Sequence, residues 1–347
     1  MVFRFPLFVL AALVGSVASV RLASLMHSAI VLVALAGSLA AWTIAFGRLA
    51  RHQPLLARPA RRPVPWGLVD LLLATMLLVT FQLVNALVLI RFCGIDATRG
   101  WENMSSRQLT LLLLADPLAN LAALATAWAA IRLRTRAEAA DFGLSLRNVG
   151  RDVGLGTTAF VMLAPLVYGL QQILVIWFPY EHPLISALKT HPELTVHGAV
   201  VFAAVIGAPL VEEFFYRVLW QGGLQAFIPR RDNFWQFVFG DTASPVAADG
   251  HGVANEGNGD RPIADVATPA AQTSAAAEVF AIVVSSALFA LMHLSQGAAP
   301  IPLFVLALGL GYLYARTGRV LPCIVVHIWL NAFSLFTLWI GTVAGRG

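Results

Sequence analysis

The stretch VEEFFYRVLWQGGLQ, Val211 to Gln225, sets three ionisable side chains at the end of an apolar run that begins near Thr195. They are Glu212, Glu213 and Arg217. A charged side chain at the centre of a bilayer costs about 2.5 to 3.5 kcal/mol on insertion scales, and such residues usually mark a functional site. The stretch therefore predicts the centre of a site. The alternative is a charged helix end that snorkels to the membrane interface.

Helical spacing gives the two glutamates different partners. Glu213 and Arg217 are four residues apart with the acid first, which is the favourable order for a pair on one helix face. Glu212 points about 100° away from Glu213 around the helix axis, so it is free to address another group.

The composition indicates a polytopic membrane protein. Of the 347 residues, 59% are apolar and 12% are charged, whereas about a quarter of the residues of a soluble domain are charged. The mean hydropathy is +0.77. The net charge of +5 lies mostly in short loops, and no aromatic-basic patch indicates a nucleic-acid partner. Cys93 and Cys323 are too few and too far apart for a disulfide framework or a cysteine metal site.

Apolar segments predict an all-α membrane bundle of eight or nine transmembrane helices. The predicted spans are 1–20, 24–46, 67–92, 108–131, 154–178, 195–220, 278–297, 301–315 and 320–343. The first segment fits either a cleavable signal peptide or a membrane helix, and the helix is favoured. Basic loops after the second and fourth spans are expected in the cytoplasm by the positive-inside rule. We expect a multi-pass protein of the plasma membrane whose site opens toward the cytoplasm.

One further acid lies within a span. Asp116 precedes Pro117, which is expected to interrupt the fourth helix. An intramembrane acid is a candidate site, but the proline frees backbone groups that this side chain can satisfy locally, so a structural role is favoured. Gln82, Asn85 and Asn120 are predicted to form hydrogen bonds between helices.

Two later spans carry polar groups at helical spacing. Phe289 and His293 share a helix face at i, i+4, and so do His327 and Asn331. Each histidine alone has a simple explanation as a core imidazole bonded to a carbonyl. If the three polar stripes face one cavity, however, the groups suit hydrolysis: a carboxylate base for water, a histidine that moves the proton, and donors for an oxyanion.

These residues resemble the three motifs of a known family. The set Glu212-Glu213-x-x-x-Arg217, Phe289-x-x-x-His293 and His327-x-x-x-Asn331 is similar to that of the CPBP family, the CAAX-protease and bacteriocin-processing (Abi) intramembrane endopeptidases. The surrounding sequence fits too, in SSALFALMHL (Ser285 to Leu294) and GLGYLYARTGRVLPCIVVHIWLNAF (Gly309 to Phe333).

The resemblance implies a conical helical bundle with a glutamate protease site recessed from the cytoplasmic face. By it, Glu212 and His293 activate water, and His327 and Asn331 stabilise the oxyanion. The residues that orient the site are Glu213, Arg217 and Phe289. The implied chemistry needs no cofactor.

Zinc remains a minor alternative, because Glu212, His293 and His327 are of ligand type. It is disfavoured by the nearby Arg217 and by the lack of a His-Glu-x-x-His helix.

The resemblance covers only the second part of the chain. Residues 1–141 form membrane helices without a recognisable motif, and residues 142–347 form the protease-like core. The core is interrupted by 232–277, which has few large apolar residues and is predicted to be a flexible polar insertion in the cytoplasm. That insertion is longer than the family leads us to expect.

The function we expect is an endopeptidase that hydrolyses a peptide bond of a membrane-associated substrate near the cytoplasmic boundary. Its partners would be the lipid bilayer and a peptide or membrane-protein substrate, with no nucleic acid. The alternative is a non-catalytic scaffold or bacteriocin-immunity-type protein of the same fold. A transporter with an ion-coupling pair is a third possibility, although that function is typical of chains with internal repeats.

Overall fold

A computed structural model describes residues 17–57, 63–95, 100–179, 183–241 and 274–344. Within these ranges the chain is all helical and contains no strand. Seven of the described helices are long and apolar enough to cross a membrane, and one shorter apolar helix accompanies them. The prediction of an all-α, polytopic membrane protein is therefore confirmed.

The described helices are numbered in chain order. They are α1 (Val17–Ala50), α2 (Leu68–Cys93), α3 (Ser106–Thr135), α4 (Val149–Trp177), α5 (Pro183–Thr190), α6 (residues 194–230), α7 (Phe234–Phe239), α8 (Ala275–Leu291), α9 (Pro300–Thr317) and α10 (Leu321–Ala344). Helices α2 and α3 pack along each other, as do α8 and α9, while α10 packs against α4 and α6.

Helix α6 is one continuous rod whose hydrogen-bonding pattern changes along its length. Its successive pieces are Leu194–Val201 (α), Phe202–Gly207 (π), Ala208–Glu213 (α), Phe214–Gln221 (π) and Gly222–Arg230 (α). Segments of π-helix are rare and occur frequently at functional sites. Glu212 and Glu213 end the short α piece between the two π segments.

Aromatic stacking fixes the part of α6 next to the glutamates. The ring of Phe142 stacks on Phe214, with centroids 5.9 Å apart, and on Trp66, at 4.9 Å. Trp66 and Phe142 are both 0% exposed. Because Phe214 follows Glu213 directly, this stack sets the rotation of the helix at the first motif.

Ion pairs join neighbouring elements at one end of the bundle, which we call the basic end. Acids meet arginines there in the pairs Asp70–Arg134, Asp152–Arg319, Asp241–Arg230 and Glu278–Arg316, and all of these acids except Asp241 are buried. Arg134 Nε donates to Asp70 Oδ1 at 2.6 Å, and Arg319 Nε donates to Asp152 Oδ2 at 2.6 Å. The basic end is therefore held by charge pairs between helices and their connecting segments.

At the opposite end, a polar contact ties the start of α3 to the segment before α6. The Ser106 hydroxyl donates to Glu193 Oε1 at 2.6 Å and lies 3.1 Å from His191 Nδ1, which is placed to donate to it. The Ser106 hydrogen bond lowers the pKa of Glu193, and the nearby His191 and His197 act in the same direction.

Several predicted boundaries differ from the structure. The first predicted span, 1–20, falls largely outside the described residues, and α1 begins at Val17 and continues without a break through residues 20–24. Pro117 lies inside the continuous helix α3, so the predicted interruption is wrong. A proline is tolerated inside a membrane helix when neighbouring groups satisfy the freed backbone. Gly207 of α6 allows the close approach, since a Cβ there would lie 2.6 Å from Pro117 Cβ.

The predicted flexible insertion is partly folded. Of residues 232–277, the first ten include α7, whose end is held by Gln236 Nε2 donating to Asp241 Oδ1 at 2.8 Å. The last few, from Ser274, cap and begin α8. Residues 242–273 lie outside the described residues, so flexibility stays a prediction for them.

Candidate functional site

The predicted pair of Glu213 and Arg217 lies at the centre of the bundle. Arg217 Nε is 3.2 Å from Glu213 Oε2, and both side chains are 0% exposed. Arg217 Nη1 donates to the hydroxyl of Ser285 on α8 at 3.1 Å, and the guanidinium carbon lies 5.6 Å from the ring centroid of Phe289. A buried charge needs such partners, because isolated burial is costly.

His327 of α10 lies between the two glutamates. Its Nδ1 is 2.9 Å from Glu213 Oε1, and its Nε2 is 3.9 Å from Glu212 Oε2. The short contact assigns the Nδ1 proton to the bond with the Glu213 carboxylate. The Nε2 atom then faces Glu212 across a distance too long for a direct hydrogen bond.

Glu212 differs from its neighbour in exposure and in partners. Its side chain is 26% exposed, against 0% for Glu213. Glu212 Oε2 makes no hydrogen bond within the described part of the chain. Glu213 is therefore saturated by two partners, whereas Glu212 has a buried oxygen, Oε2, without a partner and a side chain that is partly open.

His293 lies beyond the end of its helix. The sequence predicted that it continues the face of Phe289, but α8 ends at Leu291 and His293 belongs to the following turn. His293 still contacts the residue four positions before it, because its Nδ1 is 2.8 Å from the Phe289 carbonyl oxygen. The imidazole thereby caps the end of α8. Helix ends leave carbonyls without partners, and this imidazole satisfies one of them.

The ring of Phe289 lies between the two imidazoles. Its centroid is 5.0 Å from that of His293 and 5.9 Å from that of His327. Because the Phe289 carbonyl holds Nδ1 of His293, Nε2 is the free ring nitrogen of this imidazole.

Asn331 lies one turn after His327 and is anchored to α6. Its Nδ2 donates to the Ala204 carbonyl at 2.7 Å. In a π-helical pattern this carbonyl would accept from residue 209, but Pro209 has no N–H, and Ala208 N–H already bonds to Ala203 O. Asn331 therefore supplies a missing donor, and its amide retains a second N–H.

The structure thus brings six of the predicted site residues together at the junction of α6, α8 and α10: Glu212, Glu213, Arg217, Phe289, His293 and His327. Asn331 lies one turn further along α10, at Ala204. Among the described residues, no group of three or more His, Cys, Asp or Glu side chains has the geometry to hold a metal ion. Glu213 holds Nδ1 of His327 and the Phe289 carbonyl holds Nδ1 of His293, so Nε2 is the free ring nitrogen of both histidines.

Sequence reasoning missed two buried residues that support the site. Ser285 holds Arg217, as described above. Gln221 is 0% exposed and its Nε2 donates to the Gly311 carbonyl of α9 at 2.8 Å. A Cβ at Gly311 would lie 3.0 Å from Gln221 Oε1, so glycine favours this close approach. The sequence spacing could have identified both residues, because Gln221 follows Arg217 by four residues and Ser285 precedes Phe289 by four.

Comparison with known proteins adds independent information. The model of the type II CAAX prenyl endopeptidase Rce1-like family matches residues 265–333. No curated protein and no solved structure matches the chain. The matched segment contains Phe289, His293, His327 and Asn331, while Glu212 lies before it. The match confirms the resemblance drawn from the motifs: over α8, α9 and the first half of α10, the chain is similar to CAAX prenyl endopeptidases.

Proposed function

We propose that the protein is an intramembrane endopeptidase in which Glu212 activates water for attack on a peptide bond. The family match supports a membrane endopeptidase in general terms. The glutamate mechanism is supported by one observation above the others: of two adjacent carboxylates, Glu213 is closed and fully paired, whereas Glu212 is partly open and has an unpaired oxygen.

In the proposed reaction, a water molecule binds to Glu212 on its open side. The carboxylate removes one proton as the water oxygen attacks the carbonyl carbon of the substrate. The carbonyl oxygen becomes an oxyanion, and the second N–H of Asn331 is the donor available to it. When the C–N bond breaks, the proton held by Glu212, or one delivered from His293 Nε2, passes to the leaving amine.

The buried half of the site fixes the geometry of this reaction. Glu213 accepts from His327 Nδ1 and thereby orients the imidazole, whose Nε2 faces Glu212. Arg217 balances the charge of Glu213, and Ser285 holds Arg217. Glu212 is left without a permanent partner, as a base that must bind water requires.

The proposed orientation puts the basic end in the cytoplasm, by the positive-inside rule. His327 is six residues from the start of α10 at that end, which corresponds to about 9 Å along a helix. Cleavage would therefore occur near the cytoplasmic boundary of the membrane. The substrate class is a peptide segment of a membrane-associated protein, and the plasma membrane is the proposed location.

We propose that the reaction needs no metal. The guanidinium of Arg217, which bonds to Glu213, opposes a cation at this position. Activity of the purified protein should then survive a strong chelator. Loss of activity with the chelator and its return with Zn²⁺ would overturn the metal-free mechanism.

The proposal is tested with protein purified into lipid nanodiscs and a mass-spectrometric screen of a peptide library. The wild-type protein and a control, Asp232→Asn at an exposed position of the basic end, are expected to cleave the same peptides. Glu212→Gln should reduce cleavage by a factor of about 10³ to 10⁴, because it removes the base and keeps the shape. Unreduced cleavage by Glu212→Gln would refute the assignment. A wild type that cleaves no peptide, and whose phenotype in cells is unchanged by Glu212→Gln, would favour the non-catalytic alternative.

A further inference from the structure

Polar side chains meet between α2 and α3, away from the candidate active site. Gln82 Nε2 donates to Asn120 Oδ1 at 2.6 Å. The carboxyl group of Asp116 lies beside the amides of Gln82 and Asn85. The sequence suggested that Asp116 would satisfy its own backbone beside Pro117, but its carboxyl group faces these groups of the neighbouring helix instead. We call Gln82, Asn85, Asp116 and Asn120 the seam cluster.

The seam cluster lies at the depth of the hydrocarbon core. Asp116 is ten residues after Ser106, where α3 begins, and ten helical residues span about 15 Å. The hydrocarbon layer is about 30 Å thick, so a helix that enters at Ser106 carries Asp116 close to the bilayer centre.

The seam cluster is open on one side. Asp116 is exposed, and the amides of Gln82, Asn85 and Asn120 are half-buried. The surrounding surface of these helices is apolar and exposed, with Leu83 60% exposed and Leu118 52% exposed. Acids inside membranes almost always face the protein interior or are paired, because hydrocarbon cannot solvate them. The polar groups on the open side of the seam cluster therefore need a hydrogen-bonding partner within the bilayer.

The unused hydrogen-bonding groups indicate what that partner is. The Asn120 amide nitrogen makes no hydrogen bond within the described part of the chain, so it is a donor, and the exposed oxygens of Asp116 are acceptors. A surface that carries both a free donor and free acceptors can pair with the same surface of a second copy. Two copies inserted with the same orientation are related by an axis along the membrane normal, so the same residues meet at the same depth. Asn120 and Asp116 are one helical turn apart, about 6 Å, which is within reach of such a contact.

We propose that the seam cluster is an interface between two copies of this chain. The Asn120 amide of each copy donates to the Asp116 carboxyl of the other. Interhelical hydrogen bonds of this type contribute to helix association in membranes. The inference does not depend on the proposed peptidase activity.

Subunit counting in lipid vesicles tests the proposal. Fluorescently labelled protein is diluted into vesicles over a range of protein-to-lipid ratios, and photobleaching steps are counted. The wild type should be dimeric, and Asp116→Asn, which has the same shape and keeps one accepting oxygen, should match it. Asn120→Leu and Asp116→Leu should each weaken dimerisation by about tenfold or more. Leu118→Ala, at an exposed position of α3 outside the seam, is the matched control and should behave as wild type.

Cross-linking gives a second test that needs no destabilising change. In a Cys93→Ser background, Ala119→Cys lies one turn from Asp116 on the seam side, whereas Leu118→Cys points away from it. Mild oxidation should yield a covalent dimer for Ala119→Cys only. A wild type that is monomeric at every dilution and leaves Ala119→Cys unlinked would contradict the proposal. So would dimers that neither Asn120→Leu nor Asp116→Leu weakens.

Discussion

The two halves of the candidate active site contain similar groups in different surroundings. In the buried half, Glu213, Arg217 and Ser285 are each 0% exposed and bonded to one another. In the open half, the Glu212 side chain is 26% exposed and His293 is half-buried. The difference arises from position on α6, because adjacent residues of a helix point about 100° apart. The Glu213 carboxylate is thereby fixed by its partners, and the Glu212 carboxylate is left able to react.

Removal of the arginine from the buried half should have the largest effect. Arg217→Ala leaves the Glu213 carboxylate buried without its charge partner, and breaking a buried pair in this way costs about 3 to 5 kcal/mol. We expect both the folded protein and the activity to be lost. Thermal unfolding in detergent and peptide cleavage measure the two effects. A stable Arg217→Ala protein would show that the buried half does not support the fold.

Asn331→Ala should mainly affect the open half. It removes the donor proposed for the oxyanion, which is worth a factor of about 10² to 10³ in kcat. It also leaves the Ala204 carbonyl without a partner, so a stability loss of about 1 to 3 kcal/mol should accompany it. Full kcat in this variant would contradict the proposed oxyanion contact.

Two adjacent buried serines allow the contribution of one hydrogen bond to be distinguished from the effect of burial alone. Ser285 and Ser286 are both 0% exposed, but Ser285 bonds to Arg217 and the Ser286 hydroxyl has no partner within the described residues. Ser285→Ala should destabilise the protein by about 1 to 3 kcal/mol, while Ser286→Ala, the matched control, should change the melting temperature little. Equal losses in the two variants would mean that the bond to Arg217 contributes nothing.

The smallest expected effect lies far from the site, at Ser106. Its hydroxyl lowers the pKa of Glu193, so this contact stabilises the fold above the ordinary glutamate pKa and is lost as the pH falls through the lowered value. Ser106→Ala should raise the pKa of Glu193 toward its ordinary value, as an NMR titration of the labelled carboxyl would detect. Because Glu193 is fully exposed, overall stability should barely change. An unchanged Glu193 titration in this variant would contradict the assignment.

The sequence predicted which side chains lie near one another better than it predicted their individual contacts. Spacing of four residues was sufficient to pair Glu213 with Arg217, which the structure confirms. It was insufficient for His293, because the end of α8 at Leu291 depends on how the following turn packs. The bond from Asn331 to Ala204 follows from a π-helical segment next to Pro209, and no periodicity in the sequence indicates that segment. The folding of α7 depends on contacts with α2 and α6 that composition does not reveal.

The most direct test of the account compares Glu212→Gln with Glu213→Gln in the same preparation, with stability and cleavage measured for both. Glu212→Gln should melt within about 1 kcal/mol of wild type, because its side chain is partly exposed and its Oε2 is unpaired, yet lose activity by a factor of about 10³ or more. Glu213→Gln should be destabilised by about 3 kcal/mol or more, because it leaves Arg217 buried without its charge partner. The opposite pattern, with an active Glu212→Gln protein and a stable but inactive Glu213→Gln protein, would contradict the assignment of the two glutamates.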